Sequence, residues 1–195
     1  IPPVGTAHRL PPLHLSRSLI HRHPFACIHC GKGVFSVVWK IDIKKLIVSL
    51  VIPLAVGGLS ALVTGGSMDI YGEVTQPPLS PPGWVFPVVW SILYVLMGVS
   101  LYLVWASDAP KEQKTAAFVV FGVSLLLNFL WSPIFFAARG FLAAFVVLVL
   151  LWLSVIGVIL AFSRIKKTAG LLQLPYLLWV TFAGYLNLGV YLLNK

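Results

Sequence analysis

Acidic charge is almost missing from this chain, and its placement decides what the chain can be. Five Asp and Glu stand among 195 residues against 14 Lys and Arg, and charged residues together make up 10%. No Asp, Glu, His, Lys, Arg or Cys falls within five long apolar stretches, at residues 46–68, 84–107, 115–138, 141–163 and 168–194. Proton relays and ion-coupled transporters place ionisable groups inside the membrane, because nothing else carries the proton or the charge there. Hydrolases need a base beside a nucleophile, and these stretches offer hydroxyls with no base to activate them. No catalytic residue is therefore assigned, although whether the chain is an enzyme stays open. Haem iron takes His, Cys, Met or Tyr as a protein ligand. With His and Cys missing from the stretches, only Met97 or a tyrosine remains. A haem-like ring is thus expected to be held by packing rather than by ligation, and no cofactor is required. Cysteine is nearly absent too, and Cys27 and Cys30 alone make no disulfide framework.

What is present is apolar. Hydrophobic residues make up 59% of the chain, above the roughly 45–50% of soluble domains. Each stretch is long enough as a helix, at about 1.5 Å per residue, to cross a hydrocarbon core of about 30 Å. The expected fold is all-α: an integral, multi-pass membrane protein built as a five-transmembrane-helix bundle over residues 41–195. Pro53 kinks the first span, and Gly57, Gly58 and Ala61 give it a small-residue face for close helix packing. Arg139-Gly140 leaves room only for a tight turn, so spans three and four are antiparallel neighbours. Span four is uniformly aliphatic and reads as scaffold.

Residues 1–40 form a separate N-terminal extension. They hold His8, His14, His21, His23 and His29, both cysteines, five of the 14 prolines and no acid. An Arg- and Ser-rich, acid-poor composition is shared by organellar transit peptides, and a disordered tail is the other reading. His21, His23, Cys27, His29 and Cys30 suggest zinc, but no second Cys pair stands at finger spacing, so no metal site is expected.

The net charge of +9 would suit nucleic acid, yet the basic residues sit in the extension and the short loops, so no nucleic-acid partner is expected. The N-terminal region and the loops after spans two and four hold 12 Lys and Arg, and the opposite side holds 2. Positive charge favours the cytoplasm, so in a plasma membrane the N-terminus is cytoplasmic and the C-terminus outside. If residues 1–40 are a targeting segment, an organellar membrane is the host instead.

Three spans repeat one pattern. Trp90 and Tyr94 share a helical face, as do Asn128, Trp131 and Phe135, and again Trp179, Ala183 and Asn187. Interhelical packing, with each amide as a hydrogen-bonding strap, accounts for such faces. So does a mainly apolar pocket with a few convergent polar groups, suited to a flat hydrophobic ligand.

At these residues the chain resembles a known family. Pro81–Trp105, Asn128-Phe-Leu-Trp-Ser-Pro-Ile-Phe-Phe136 and Pro175-Tyr-Leu-Leu-Trp-Val-Thr-Phe-Ala-Gly-Tyr-Leu-Asn187 closely resemble the translocator protein family. Its members are also called tryptophan-rich sensory proteins or peripheral-type benzodiazepine receptors. The resemblance runs from about Lys45 to the C-terminus and implies a five-helix bundle, often a homodimer, whose cavity is closed by the first loop. It implies binding of porphyrins such as protoporphyrin IX or haem, of sterols, and of synthetic benzodiazepine-type ligands. By position it assigns Trp90, Asn128, Trp131, Phe135, Trp179, Ala183 and Asn187 to the pocket, and Tyr94 shares the face of Trp90. The first loop departs from the family pattern, with Ile70 and Leu79 in place of Trp and Gln76 in place of Lys. Leu188 and Leu192 stand where animal members carry a sterol-associated Tyr and an Arg. The leading expectation is a receptor or carrier for tetrapyrroles or other flat hydrophobic molecules. A porphyrin-degrading photo-oxidative enzyme and a structural membrane protein without a small ligand are the alternatives.

Overall fold

The computed structural model describes residues 41–65 and 70–195, the Tyr71 side chain excepted. The extension at 1–40, with its targeting and zinc readings, lies outside the described residues. Those described form helices α1 (Ile43–Thr64), α2 (Ile70–Glu73), α3 (Val85–Trp105), α4 (Lys111–Phe136), α5 (Phe141–Ile165), α6 (Lys167–Leu171) and α7 (Leu174–Leu193), with no strand among them. Five are long and apolar enough to cross a membrane, counting α6 and α7 together as one crossing.

Local chemistry explains the bounds. Asp42 caps α1 by accepting from the Lys45 backbone N–H at 3.1 Å, and its carboxylate lies 3.3 Å from the Lys45 ammonium. That backbone hydrogen bond holds the Asp42 carboxyl below its ordinary value of 3.8. A depressed carboxyl contributes its full stabilisation above that ordinary value and loses it as pH falls below it, through the lowered folded-state value. Helix α4 begins at Lys111, four residues before the apolar run, because Pro110 occupies its N-cap and its polar first turn carries Glu112. The fifth span is interrupted rather than continuous. Pro175, near the start of α7, has no N–H to donate and crowds the carbonyl four residues back, so the chain breaks at Leu172 and Gln173. Between α4 and α5 it is Arg139, not Gly140, that takes the left-handed conformation, at φ 53°.

The spans close into a ring. Helix α1 packs on α3 and α4, α4 on α5, and α5 on α7, while α6 touches α3 and α5. Ring contacts between Trp90 and Tyr176 and between Phe86 and Trp179 join α3 to α7. Ser100 donates to the Ala169 carbonyl at 2.7 Å and ties α3 to α6.

Helix α1 is inverted relative to a soluble helix. Its buried residues are Ser49, Pro53, Ser60 and Thr64, while Ile47, Val51, Leu59 and Leu62 face outward. Lipid is as apolar as a protein core, so the outward side needs no polar coat, and small or hydroxyl residues allow close approach inside. The closest approach is at Gly98 of α3, where an added Cβ would lie 2.8 Å from Leu50 Cα and 2.9 Å from the Ser49 carbonyl. Pro53 leaves that carbonyl without its usual helical donor.

Gly98→Ala is expected to lower the midpoint of thermal unfolding in detergent, with an overpacking cost of about 1–3 kcal/mol. Gly122→Ala, which meets nothing within 4 Å, is the control and should leave the midpoint unchanged or raise it.

Candidate ligand-binding site

A cavity of about 320 Å³ lies between α1, α3 and α4. It occupies the C-terminal parts of α1 and α4 and the N-terminal part of α3, so it sits toward the end of the bundle that the first connection covers. Trp90 and Tyr94 line it from α3, and Asn128 and Trp131 from α4. The α1 wall consists of Gly57, Gly58, Ser60, Ala61 and Thr64, beside Leu54.

Its polar groups are positioned by hydrogen bonds. The Tyr94 hydroxyl donates to Asn128 Oδ1 at 2.9 Å, and Asn128 Nδ2 donates to the Tyr176 hydroxyl, also at 2.9 Å. One amide thus bridges α3, α4 and α7 with both ends used. Trp90 stacks on Tyr94 with centroids 5.5 Å apart and meets Tyr176 edge-on at 6.1 Å. Gly57 is required beside this cluster, since a Cβ there would run into the Tyr94 ring. Ser60 Oγ is buried and has no partner among the described residues, which leaves a hydroxyl on the cavity wall available to a ligand.

The remaining predicted residues lie behind this cavity. Phe135, Ala183 and Asn187 line a second space of only about 20 Å³, together with Ser80 of the first connection. Trp131 borders both spaces, donating its indole N–H to Asn187 Oδ1 at 3.0 Å and stacking on Phe135 at 5.4 Å. The other end of the Asn187 amide donates to the Phe141 carbonyl at 2.8 Å. Trp179 borders neither space; it packs against Phe86 and Phe182, and its indole N–H is buried with no partner among the described residues. Trp90, Tyr94, Asn128 and Trp131 are thus brought together, Phe135, Ala183 and Asn187 form a second group behind Trp131, and Trp179 stands apart.

Sequence reasoning missed the α1 wall and Tyr176. Gly57, Gly58 and Ala61 read as a helix-packing face; Gly57 is used that way against Tyr94, whereas Gly58 meets nothing within 4 Å. The available signal was the pair Ser60 and Thr64 on the same helix, hydroxyls that lipid would not select.

The described part of the first connection, residues 70–84 between α1 and α3, crosses the end of the bundle and is pinned on its far side. Tyr185 donates to the Pro78 carbonyl at 2.8 Å, and Gly189 leaves room for the Pro77 ring. Asn194 clasps Thr75 at both backbone groups, each at 2.9 Å. Glu73 pairs with Arg139 at 2.9 Å. None of these contacts uses the positions where the loop departs from the family pattern: Ile70 is buried, and Leu79 is 82% exposed in a left-handed turn.

Comparison with known proteins decides the family. The model of the TspO/MBR family matches residues 49–192. The chain belongs to the TspO/MBR family. It is 42% identical over 124 residues to the tryptophan-rich protein TspO of Chlorobaculum tepidum, covering 64% of this chain and 78% of the relative. The corresponding protein of Archaeoglobus fulgidus is 38% identical over 155 residues, 79% of this chain and 99% of the relative. The human translocator protein is 36% identical over 131 residues, 66% of this chain and 76% of the relative. Family membership and five spanning helices make the chain an integral, multi-pass membrane protein.

If Asn128 is the strap joining three helices, Asn128→Leu should lower stability in detergent by about 1–2 kcal/mol, near 0.6 kcal/mol for each membrane hydrogen bond plus the stranded hydroxyls. Combined with Tyr94→Phe the loss should be less than additive, as thermal unfolding of the two single variants and the double variant would show.

Proposed function

We propose that this TspO/MBR protein binds a flat hydrophobic molecule of the tetrapyrrole class, such as protoporphyrin IX or haem, for sensing or transport within the membrane. The observation that carries this reading is the cavity between α1, α3 and α4, with an indole on each of two walls and few polar groups converging on it. Trp90 and Trp131 offer aromatic surface to a conjugated ring, while Ser60 Oγ, without a partner among the described residues, and the Asn128 amide are the polar groups on the wall suited to a carboxylate or carbonyl at the ring edge. Among the described residues no His, Cys, Asp or Glu lines the cavity, which favours holding the ring by packing rather than by ligation. The name of the human relative, translocator protein, supports movement of the ligand.

Charge bias supports a cytoplasmic N-terminus where the host is a plasma membrane. Lys44, Lys45, Lys111, Lys114, Arg164 and Lys167 all lie at the bundle end opposite the first connection. The cavity then lies toward the non-cytoplasmic face. A sterol is the second ligand class that an apolar cavity of this kind suits.

Titrating purified protein with protoporphyrin IX should quench tryptophan emission saturably. Trp90→Ala and Asn128→Ala should each weaken binding roughly threefold to tenfold, the range of one aromatic or polar contact. Trp152→Ala removes an indole bonded to Thr181 outside the cavity and should leave affinity unchanged. Wild-type affinity in both cavity variants would remove this site from consideration.

A further inference from the structure

The two spaces meet at three aromatic residues. Phe86, Trp131 and Phe136 line both the cavity of about 320 Å³ and the space of about 20 Å³. The larger one lies at the lower limit of drug-sized pockets, roughly 300 Å³, and a tetrapyrrole with its side chains is broader than a typical drug-sized ligand. With the partition in place, a ligand in the large cavity cannot reach Ala183 or Asn187 on α7, because Trp131 and its neighbours stand between.

The partition has a defined fastening. Of its three aromatic side chains Trp131 alone carries a polar group, and its N–H is held by Asn187 Oδ1 at 3.0 Å. Asn187 is itself anchored, because its Nδ2 donates to the Phe141 carbonyl at the start of α5. The acceptor therefore stays in place when the indole moves. Edge contact with Phe136 at 5.9 Å and stacking on Phe135 at 5.4 Å resist displacement without the directionality of a hydrogen bond.

From this geometry we infer that the Trp131–Asn187 pair is a size gate. Closed, it limits the ligand to the chamber between α1, α3 and α4. Open, it joins the two spaces into one chamber reaching Ala183 and Val190 on α7 and Ser80 of the first connection, and the freed Asn187 Oδ1 becomes an acceptor for the ligand. Trp131 and Asn187 thereby determine which ring systems are admitted. The inference rests on the reading of the cavity as a tetrapyrrole site. In the free protein the closed gate lowers apparent affinity by the fraction of molecules that are open.

The test combines kinetics with a direct view of the indole. Asn187→Leu removes the acceptor and Trp131→Phe removes the donor while keeping a ring. Stopped-flow association of protoporphyrin IX should be roughly fivefold to tenfold faster in each, the rate equivalent of one lost buried hydrogen bond. Direct contact between Asn187 and ligand without gating predicts instead unchanged association and faster dissociation in Asn187→Leu, which would overturn the gate. In wild-type protein carrying ¹⁵N-tryptophan, the Trp131 indole N–H should be protected from exchange when free and lose that protection when porphyrin is bound. This measurement stands even if a variant fails to fold. Porphyrin bound with the Trp131 N–H still protected overturns the gate and leaves the binding reading intact. Wild-type protein that binds no porphyrin overturns both.

Discussion

The amide of Asn128 donates to one tyrosine and accepts from another, and each of the three side chains stands on a different helix. In water such a bridge would exchange freely with solvent. In a hydrocarbon slab the alternative is a stranded polar group, so the helices carrying these residues are drawn to one another in one register. Tyr94, Asn128 and Tyr176 therefore set how α3, α4 and α7 sit together, and the remaining helices fit around them. Helix α5 supplies aliphatic bulk, and α1 closes the ring by its small residues. The bridging side chains are also the polar edge of the cavity, so the interaction that assembles the bundle positions the site.

Much of this was legible from residues alone, for physical reasons. Ionisable side chains are so costly in lipid that their absence marks the spans directly. Helical spacing then places Trp90 with Tyr94 and Asn128 with Trp131 on common faces, and the folded chain brings these two faces to one cavity. The third face was harder to read, because periodicity places side chains on a helix without saying what lies between helices. Ala183 and Asn187 do point inward, yet Trp131 stands in front of them. Glycine and alanine on α1 gave no means of telling a packed contact from a cavity wall, since small residues serve both. The break before Pro175 was available in principle, but the uninterrupted apolar run around it favours a continuous span.

The first connection shows a different limit. Its departures from the family pattern at Ile70, Gln76 and Leu79 drew attention to altered side chains. Beside the buried Ile70, its course is fixed by contacts that do not depend on the loop's own side-chain chemistry: a carbonyl at Pro78, the backbone of Thr75, and the ring of Pro77 against a glycine. Backbone-mediated docking tolerates side-chain change, so the cover persists where its chemistry has altered.

The inverted character of α1 has a consequence for how a ligand arrives. Leu54, Gly58 and Ala61 line the cavity yet are themselves exposed on the outer surface of the bundle, as are Pro87 and Ser91 across from them. In a bilayer that surface is bathed by acyl chains rather than by water. The cavity is thus in contact with the lipid phase, and a ligand of the proposed class would meet it by lateral diffusion in two dimensions. Its occupancy would then follow the amount dissolved in the membrane, so a sparingly soluble compound with a high partition coefficient would fill the cavity at aqueous levels far below its intrinsic dissociation constant.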